Sequence, residues 1–193
     1  MNKIKVLYDV VKAMKNKEAF NGTLTVQVHK DETQLFLLRN EFEFTIPHTG
    51  EYQHHEFIKH LHPSHAVECQ GLKGKLSRLA FALSILTALH AEEQEGKTII
   101  SLNADDLPED TKALLREKMS RAGASQRHGH GFLKEFNAAD HLDFVVNMFI
   151  NKISEVEKVV ITLVGTQKDE QNAPHDLTVR AELSLSAKQG ENA

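Results

Sequence analysis

The stretch LTVRAELSLS, residues 177–186, alternates apolar and polar side chains at every position. Its odd-numbered residues are leucine, valine and alanine, and its even-numbered residues are threonine, arginine, glutamate and serine. A period of two is what a β-strand needs when one face is buried and the other meets solvent. Strands with one polar face are typical of antiparallel sheets. The stretch therefore predicts an antiparallel sheet with a core on one side.

The N-terminal residues predict a helix followed by a β-hairpin. Apolar residues recur at steps of three or four, as in an amphipathic helix: Ile4, Leu7, Val11 and Met14. Asn21-Gly22 provides a turn just past the helix, and strict alternation follows from Leu24 to Val28. After a charged turn, a second alternating run carries Phe36, Leu38, Phe42, Phe44 and Ile46 on one parity. We predict a first helix–strand–strand unit in residues 1–48.

The C-terminal part predicts a second unit of the same order in residues 138–187, before a frayed tail at 188–193. Its helical stripe consists of Leu142, Val145, Val146, Phe149, Ile150 and Ile153, and an apolar strand follows at 159–164. A shift of 135 positions superposes Val10-Val11 on Val145-Val146 and Asn16-Lys17 on Asn151-Lys152. This internal pseudo-repeat predicts two αββ halves that share one sheet of about four to five strands.

The middle segment, residues 50–137, reads as mainly helical. A leucine ridge runs along one side of a helix, and further apolar residues fill the other: Leu72, Leu76, Leu79, Leu83 and Leu86, then Phe81, Ile85 and Leu89. A helix that is apolar on all sides lies within a core or forms half of an oligomer interface. A short strand is predicted at 97–102, and a helix at 106–121 with Asp106 as N-cap. The whole chain is thus predicted to be one α+β domain, with this segment packed on the sheet.

Charge and cysteine content limit the classes of protein. The chain has 193 residues and a net charge of −4, which argues against a dedicated nucleic-acid or membrane-surface protein. Its single cysteine forms no internal disulfide, and the first fifteen residues lack the apolar core of a signal peptide. The longest apolar stretch, residues 79–89, is shorter than the roughly 20 residues that cross a bilayer. We expect a cytoplasmic protein that does not associate with membranes.

Histidine is in excess, with twelve residues, five of them between His54 and His65. His55-Glu56 followed by His60 imitates a zinc-protease motif, but five helical positions leave the two rings about 140° apart. His62, His65 and Cys69 are better placed, because a helix beginning at Pro63 would bring them to one face. They are the candidate zinc ligands of a metal-binding protein or metal-dependent hydrolase, with Glu56 or Glu68 as base. The alternative is a polar loop with a buried cysteine.

A basic segment lies between Lys112 and Lys134, with six lysine and arginine residues against Glu117. It includes the sequence His128-Gly129-His130-Gly131. A phosphorylated small molecule or a nucleic acid is the candidate ligand, bound by Arg121, Arg127, His128, His130 and Lys134. The alternative needs no ligand: acidic residues open the predicted helix and basic residues close it, which complements the helix dipole.

Two partial matches to catalytic motifs each lack a required feature. Residues 71–77 have two residues between their glycines where a phosphate-binding loop has four, and residues 123–127 lack the second glycine of a serine elbow. No cofactor is predicted, apart from zinc under the metal hypothesis. The favoured function is therefore a non-enzymatic protein-interaction or self-associating module. Its contact would be the helix at 76–89 or a sheet edge, with a protein partner or a second copy of the chain.

Overall fold

The computed structural model describes residues 1–15, 17, 19–45, 72–115, 117, 141–168 and 172–187. The helices are α1 (Lys3–Lys15) and α2 (Leu72–Ala88), with a 3₁₀ turn at Ala104–Asp106 and helical residues at 109–115. The strands are β1 (Ala19–Lys30), β2 (Thr33–Thr45), β3 (His90–Gln94), β4 (Lys97–Asn103), β5 (His141–Ile150), β6 (Val156–Lys168) and β7 (Pro174–Ala187).

All seven strands of the described ranges belong to one antiparallel sheet in the order β2-β1-β7-β6-β5-β4-β3. From β3 to β7 each strand pairs with its successor in the chain. The N-terminal hairpin then adds to β7, so the first and last strands of the chain lie side by side. This arrangement confirms the α+β class and the antiparallel sheet.

The sheet is larger than the predicted four to five strands, and the second αββ unit does not form. Residues 141–150, predicted as a helix, are strand β5. Phe144, Val146, Met148 and Ile150 also alternate at a period of two, and this stretch is rich in β-branched and aromatic residues. When an apolar run fits the periods of both a helix and a strand, its tertiary neighbours decide which one forms. Here β4 and β6 lie on either side of the run and pair with it as strands.

The pseudo-repeat has no structural counterpart. The shift of 135 positions superposes Val10-Val11, in helix α1, on Val145-Val146, in strand β5. Two stretches with the same residues thus adopt different secondary structures, so the coincidence is one of composition. Helix α1 and the β1–β2 hairpin do form. The turn predicted at Asn21-Gly22 is wrong, because both residues lie within β1 and pair with β2 and β7.

The described part of the middle segment contributes two strands to the sheet, where the sequence predicted one. The mainly helical prediction for residues 50–137 stays a prediction, because much of the segment lies outside the described residues. Strand β4 agrees with the prediction at 97–102, whereas β3 was not predicted, because His90–Gln94 is mostly polar. The turn between the two strands holds Glu95 at φ 53° and Gly96 at φ 76°. Two consecutive positive φ angles are the backbone of a tight hairpin turn, and glycine adopts them without strain.

The predicted N-cap at Asp106 is also corrected. Asp106 lies in the 3₁₀ turn, and the helical residues begin only at 109, after Pro108. Its Oδ2 accepts a hydrogen bond from Asn103 Nδ2 at 3.1 Å and lies 3.2 Å from His90 Nε2. Proline at the end of the turn favours a fresh helix start, because its missing N–H is not needed in the first turn.

A hydrophobic core cluster lies between α1 and one face of the sheet, called here the core face. Val10 of α1 packs with Ile100, Ile150 and Val156 of three neighbouring strands. Around this cluster lie partly buried residues of the same helix and the same sheet face: Val6, Leu7, Met14, Met148, Val159 and Leu185. The opposite sheet face, called the outer face, carries residues such as Thr162, Arg180, Glu182 and Ser184.

Lys3 fastens α1 to the end of α2. Its ammonium Nζ donates hydrogen bonds to the carbonyl oxygens of Thr87 at 2.8 Å and Leu89 at 2.9 Å. A positive charge at the C-terminus of a helix interacts favourably with the helix dipole and satisfies carbonyls that have no partner within the helix. The contact joins two helices that are more than eighty residues apart in the chain.

The tip of the β1–β2 hairpin is fastened to β7 through Asp31. Its carboxylate accepts hydrogen bonds from the ring of His175 at 2.8 Å and from the backbone N–H of Asp176 at 2.9 Å. The Asp31 N–H donates to the Asp176 carbonyl at 2.8 Å. The His175 hydrogen bond, followed by the backbone N–H, lowers the pKa of the Asp31 carboxyl, because both stabilise its charged form.

Candidate interaction surface

The candidate metal ligands His62, His65 and Cys69 lie outside the described residues, as do Glu56 and Glu68. The metal hypothesis therefore stays a prediction. Within the described ranges, no three His, Cys, Asp or Glu side chains come together as a metal ion would require.

The candidate anion-binding residues Arg121, Arg127, His128, His130 and Lys134 also lie outside the described ranges. One basic residue of that segment, Lys112, is described. Its Nζ lies 2.9 Å from Glu109 Oε1, one turn earlier in the helix, and its side chain is only 15% exposed. Such a pair stabilises the start of the helix without any ligand. The anion hypothesis stays a prediction for the rest of the segment.

Helix α2 forms as predicted, but only one side of its described half is covered. Ala88 is buried, and Ser84 Oγ lies 2.9 Å from Thr111 Oγ1 of the following helical segment. Leu83, on the other side, is 52% exposed. The helix is thus a surface element over residues 80–88, with one exposed leucine on its open side.

The two edge strands of the described sheet differ in length and in side chains. Strand β3 has five residues, and Glu92, Glu93 and Gln94 are exposed. Strand β2 has thirteen residues, and all of them except Leu35 pair with β1. A short edge with charged side chains resists pairing with another chain, whereas a long regular edge favours it.

Exposed leucines are concentrated on β2. Leu35, Leu37 and Leu38 are 47%, 54% and 42% exposed. Leu35 is the extra residue of a bulge, because Val28 pairs with Phe36 while His29 pairs with Gln34. Leu37 lies on the outer face and Leu38 on the core face, so apolar surface meets solvent on both sides of the edge. We call the segment Phe36–Thr45, which pairs regularly beyond the bulge, the β2 edge.

The middle of the β2 edge carries two opposite charges. Arg39 and Glu41 lie on the outer face two positions apart, with Arg39 Nη2 and Glu41 Oε1 separated by 4.0 Å. Both side chains are more than two-thirds exposed, so this pair adds little to the stability of one chain. Asn40, between them, is also exposed.

A cleft of about 550 Å³ lies beside the β2 edge, between β2, β1 and β7. Gly22, Glu41, Phe42 and Ser184 are among its lining residues. The Phe42 ring lies across Gly22, its directly paired residue in β1, so closely that a Cβ on Gly22 would meet ring atoms at 2.3–2.8 Å. Glycine at this position lets the aromatic ring fold onto the sheet instead of projecting from the edge.

Smaller clefts of about 330 Å³ and 310 Å³ lie at the tips of the β3–β4 and β5–β6 hairpins. Lys97 and Glu157 line both of them, with Nζ and Oε2 2.6 Å apart. These two charges neutralise each other across the clefts. They connect β4 to β6 at the hairpin ends and do not form a catalytic arrangement.

The β2 edge was not predicted as a specific site, because alternation alone does not distinguish an edge strand from a central one. Leu35 and Leu37 fall on the parity otherwise occupied by arginine and glutamate. An apolar run, Leu35 to Leu38, at the start of an alternating strand was the signal that could have found it. Apolar side chains on both faces indicate a strand that is covered on both faces or left partly open.

Within the described ranges, no helix has both the length and the apolar character needed to cross a bilayer. No protein-family model, curated protein or solved structure matches the chain.

Proposed function

We propose that the protein is a non-enzymatic protein-interaction module whose contact surface is the β2 edge. The observation that carries the proposal is a regular edge strand bearing the exposed side chains of Leu37 and Leu38. An edge strand offers unpaired backbone N–H and C=O groups to an incoming strand, and exposed leucines add apolar burial to that pairing. A strand added here would extend the sheet beyond β2.

The contrast with β3 supports the choice of edge. The glutamates of β3 oppose addition of a strand, and the strand is too short for many backbone hydrogen bonds. Helix α2 is the second contact that we predicted from sequence, and exposed Leu83 supports it. Over residues 80–88, where the side chains of α2 are described, one exposed leucine is a smaller apolar surface than the β2 edge offers.

A synthetic peptide with the sequence of residues 33–45 is a direct probe of the β2 edge. We expect it to bind the folded chain and to shift the backbone NMR signals of β2 more than those of β3. The probe tests whether the edge accepts a strand, independently of any natural partner. Binding centred on β3 or on α2 would contradict the proposal, and so would the absence of saturable binding by a chain diluted until it is monomeric.

Leu37→Glu is the matched test of this surface. A negative charge at this position should weaken peptide binding by about tenfold, because it removes apolar contact and repels the glutamates of the peptide. Ile153→Glu is the control, since Ile153 is 67% exposed at the tip of the β5–β6 hairpin, away from β2. Equal weakening by both changes would indicate a non-specific effect of charge and would count against the β2 edge.

The two ligand hypotheses are proposed only as alternatives, because their residues lie outside the described ranges. Thermal unfolding of tag-free protein with zinc, and separately with inorganic phosphate, tests them. A ligand at about 100 times its dissociation constant stabilises the native state by roughly 2.7 kcal/mol. A zinc shift that His62→Ala abolishes would favour the metal site. A phosphate shift that Arg121→Ala abolishes would favour the anion site.

A cytoplasmic location belongs to the same proposal. Its support is the single cysteine, which excludes an internal disulfide and is typical of proteins kept in reducing compartments.

A further inference from the structure

We infer that the partner of the β2 edge is a second copy of the chain, paired antiparallel about Asn40. The inference rests on the proposed function and names its partner. Two identical edges can pair around a two-fold axis perpendicular to the sheet, which keeps each sheet face continuous across the junction. In such a pair one central residue lies opposite the same residue of the partner. A residue one or two positions before the centre then lies opposite the partner's residue one or two positions after it. The choice of register is therefore the choice of one central residue.

The charges of β2 favour Asn40 over either of its neighbours as the centre. Centring on Arg39 places two arginines opposite each other, and centring on Glu41 places two glutamates opposite each other. Like charges directly opposite in a sheet are unfavourable. With Asn40 at the centre, Arg39 faces the partner's Glu41, and the two-fold axis repeats the pair. Each arginine then lies near its own Glu41, 4.0 Å away in the single chain, and the partner's Glu41.

The same register matches apolar residues on the core face. Leu38 would lie opposite the partner's Phe42, and the two-fold axis again repeats the contact. Leucine opposite an aromatic ring is a favourable cross-strand pair, and Leu38 is 42% exposed in the single chain. On the outer face, Leu37 would pack against the methylene groups of the partner's Glu43. Asn40 is also near the middle of the regular segment Phe36–Thr45, so this register overlaps nearly all of that segment.

Pairing in this way would cover the longer of the two edges of the described sheet. Two seven-stranded sheets would join into one continuous sheet, and each outer end would be a β3 strand with its exposed glutamates. A two-fold junction uses the β2 edge of both copies, so it closes the assembly at a dimer and leaves no further β2 edge for growth.

Charge reversal tests the register by analytical ultracentrifugation of the full chain. We expect the unaltered chain to form a concentration-dependent dimer. Arg39→Glu and Glu41→Arg should each raise the dimer dissociation constant about tenfold or more, because each replaces two attractive pairs by two repulsive ones. The double variant R39E/E41R should restore the dimer. An equimolar mixture of the two single variants should form a heterodimer, since every cross-strand pair in it is attractive.

Cysteine cross-linking independently tests which residue lies at the centre of the paired strands. In a Cys69→Ser background, Asn40→Cys should form a disulfide-linked dimer under mild oxidation, because self-opposed residues lie within disulfide range. Arg39→Cys and Glu41→Cys are the controls. Each would lie opposite a different residue and beyond the roughly 7 Å limit between its two Cα atoms. Thermal unfolding of each variant shows that it has folded.

A chain that stays monomeric up to high micromolar concentration would overturn the inference. A dimer whose dissociation constant is unchanged by both charge reversals would also overturn it, because such a dimer would use another surface. The proposed function fails separately: if the peptide of residues 33–45 binds the β2 edge while the chain remains monomeric, only the self-pairing is wrong. If neither occurs, the proposed function is wrong as well.

Discussion

Asp31 joins the tip of the β1–β2 hairpin to β7 through hydrogen bonds to His175 and Asp176. Because these bonds lower the pKa of Asp31, its stabilising effect is present above the unfolded pKa of about 3.9. That effect is lost as pH falls through the lower folded pKa. We therefore expect Asp31→Asn to reduce stability at neutral pH, and the difference from the unaltered chain to disappear in acid.

Urea unfolding of both chains across the acidic range measures this difference. Glu32→Gln, at the exposed neighbouring position, is the control for removing a carboxylate from the same turn. A loss of stability by Asp31→Asn that is independent of pH would show that the charge is not responsible.

Gly22 is the residue at which a single methyl group should matter most. A Cβ there would meet Phe42 ring atoms at 2.3 Å, so Gly22→Ala must push the ring off the sheet. We expect a loss of about 1–2 kcal/mol in the free energy of unfolding, typical of overpacking. Phe42→Leu should relieve the contact, so the double variant Gly22→Ala/Phe42→Leu should lose less than the sum of its parts. Additive losses would show that the ring does not oppose the methyl group.

At the scale of elements, α1 covers the core face with one side and exposes the other. Val10 is 7% exposed within the core cluster, whereas Val11, the next residue, is 64% exposed. Val10→Ala should cost roughly 2 kcal/mol, because it removes two buried methyl groups. Val11→Ala should change stability by less than about 0.5 kcal/mol, since its side chain touches little. Chemical denaturation of both variants tests this, and equal losses would contradict the assigned orientation of α1.

The sequence predicted correctly whether a stretch is a helix or a strand wherever its apolar residues fitted only one of the two periods. The alternation at 177–186 and the helical stripe at the N-terminus each match one period, and both elements form. Residues 142–153 contain both periods, so their type depended on which neighbours could pair with them. Strand β3 could not be predicted from apolar periodicity, because an edge strand needs little apolar surface of its own. Its turn at Glu95-Gly96 was the available signal.

At the scale of the whole molecule, the inferred dimer makes thermal stability depend on protein concentration. If unfolding separates two chains, mass action raises the melting temperature as concentration rises. We expect an increase of several degrees over a hundredfold range for the unaltered chain and a much smaller one for Arg39→Glu. Differential scanning calorimetry at several concentrations tests this. A melting temperature that is constant for both chains would argue for a monomer.

The sequence predicted the kind of contact surface but not its residues. The sequence led to a protein-interaction module with either a helix or a sheet edge as contact, and it offered no means of saying which strands would be edges. In the sequence the polar run Arg39, Asn40 and Glu41 has no distinguishing feature. It becomes a candidate contact only because β2 is the last strand of the described sheet. The order of strands made these residues candidates for a contact.

The sequence by itself determined the α+β class, the antiparallel character of the sheet, α1, α2 and most of the strands, because these follow from local periodicity. Only the tertiary structure decided that β7 lies beside β1, that residues 141–150 pair as a strand, and that β2 is an edge of the described sheet. The physical reason is that strand pairing joins residues far apart in the chain through backbone groups that every residue carries. Side-chain periodicity indicates which face of a strand is buried, but it does not identify the strand that pairs with it.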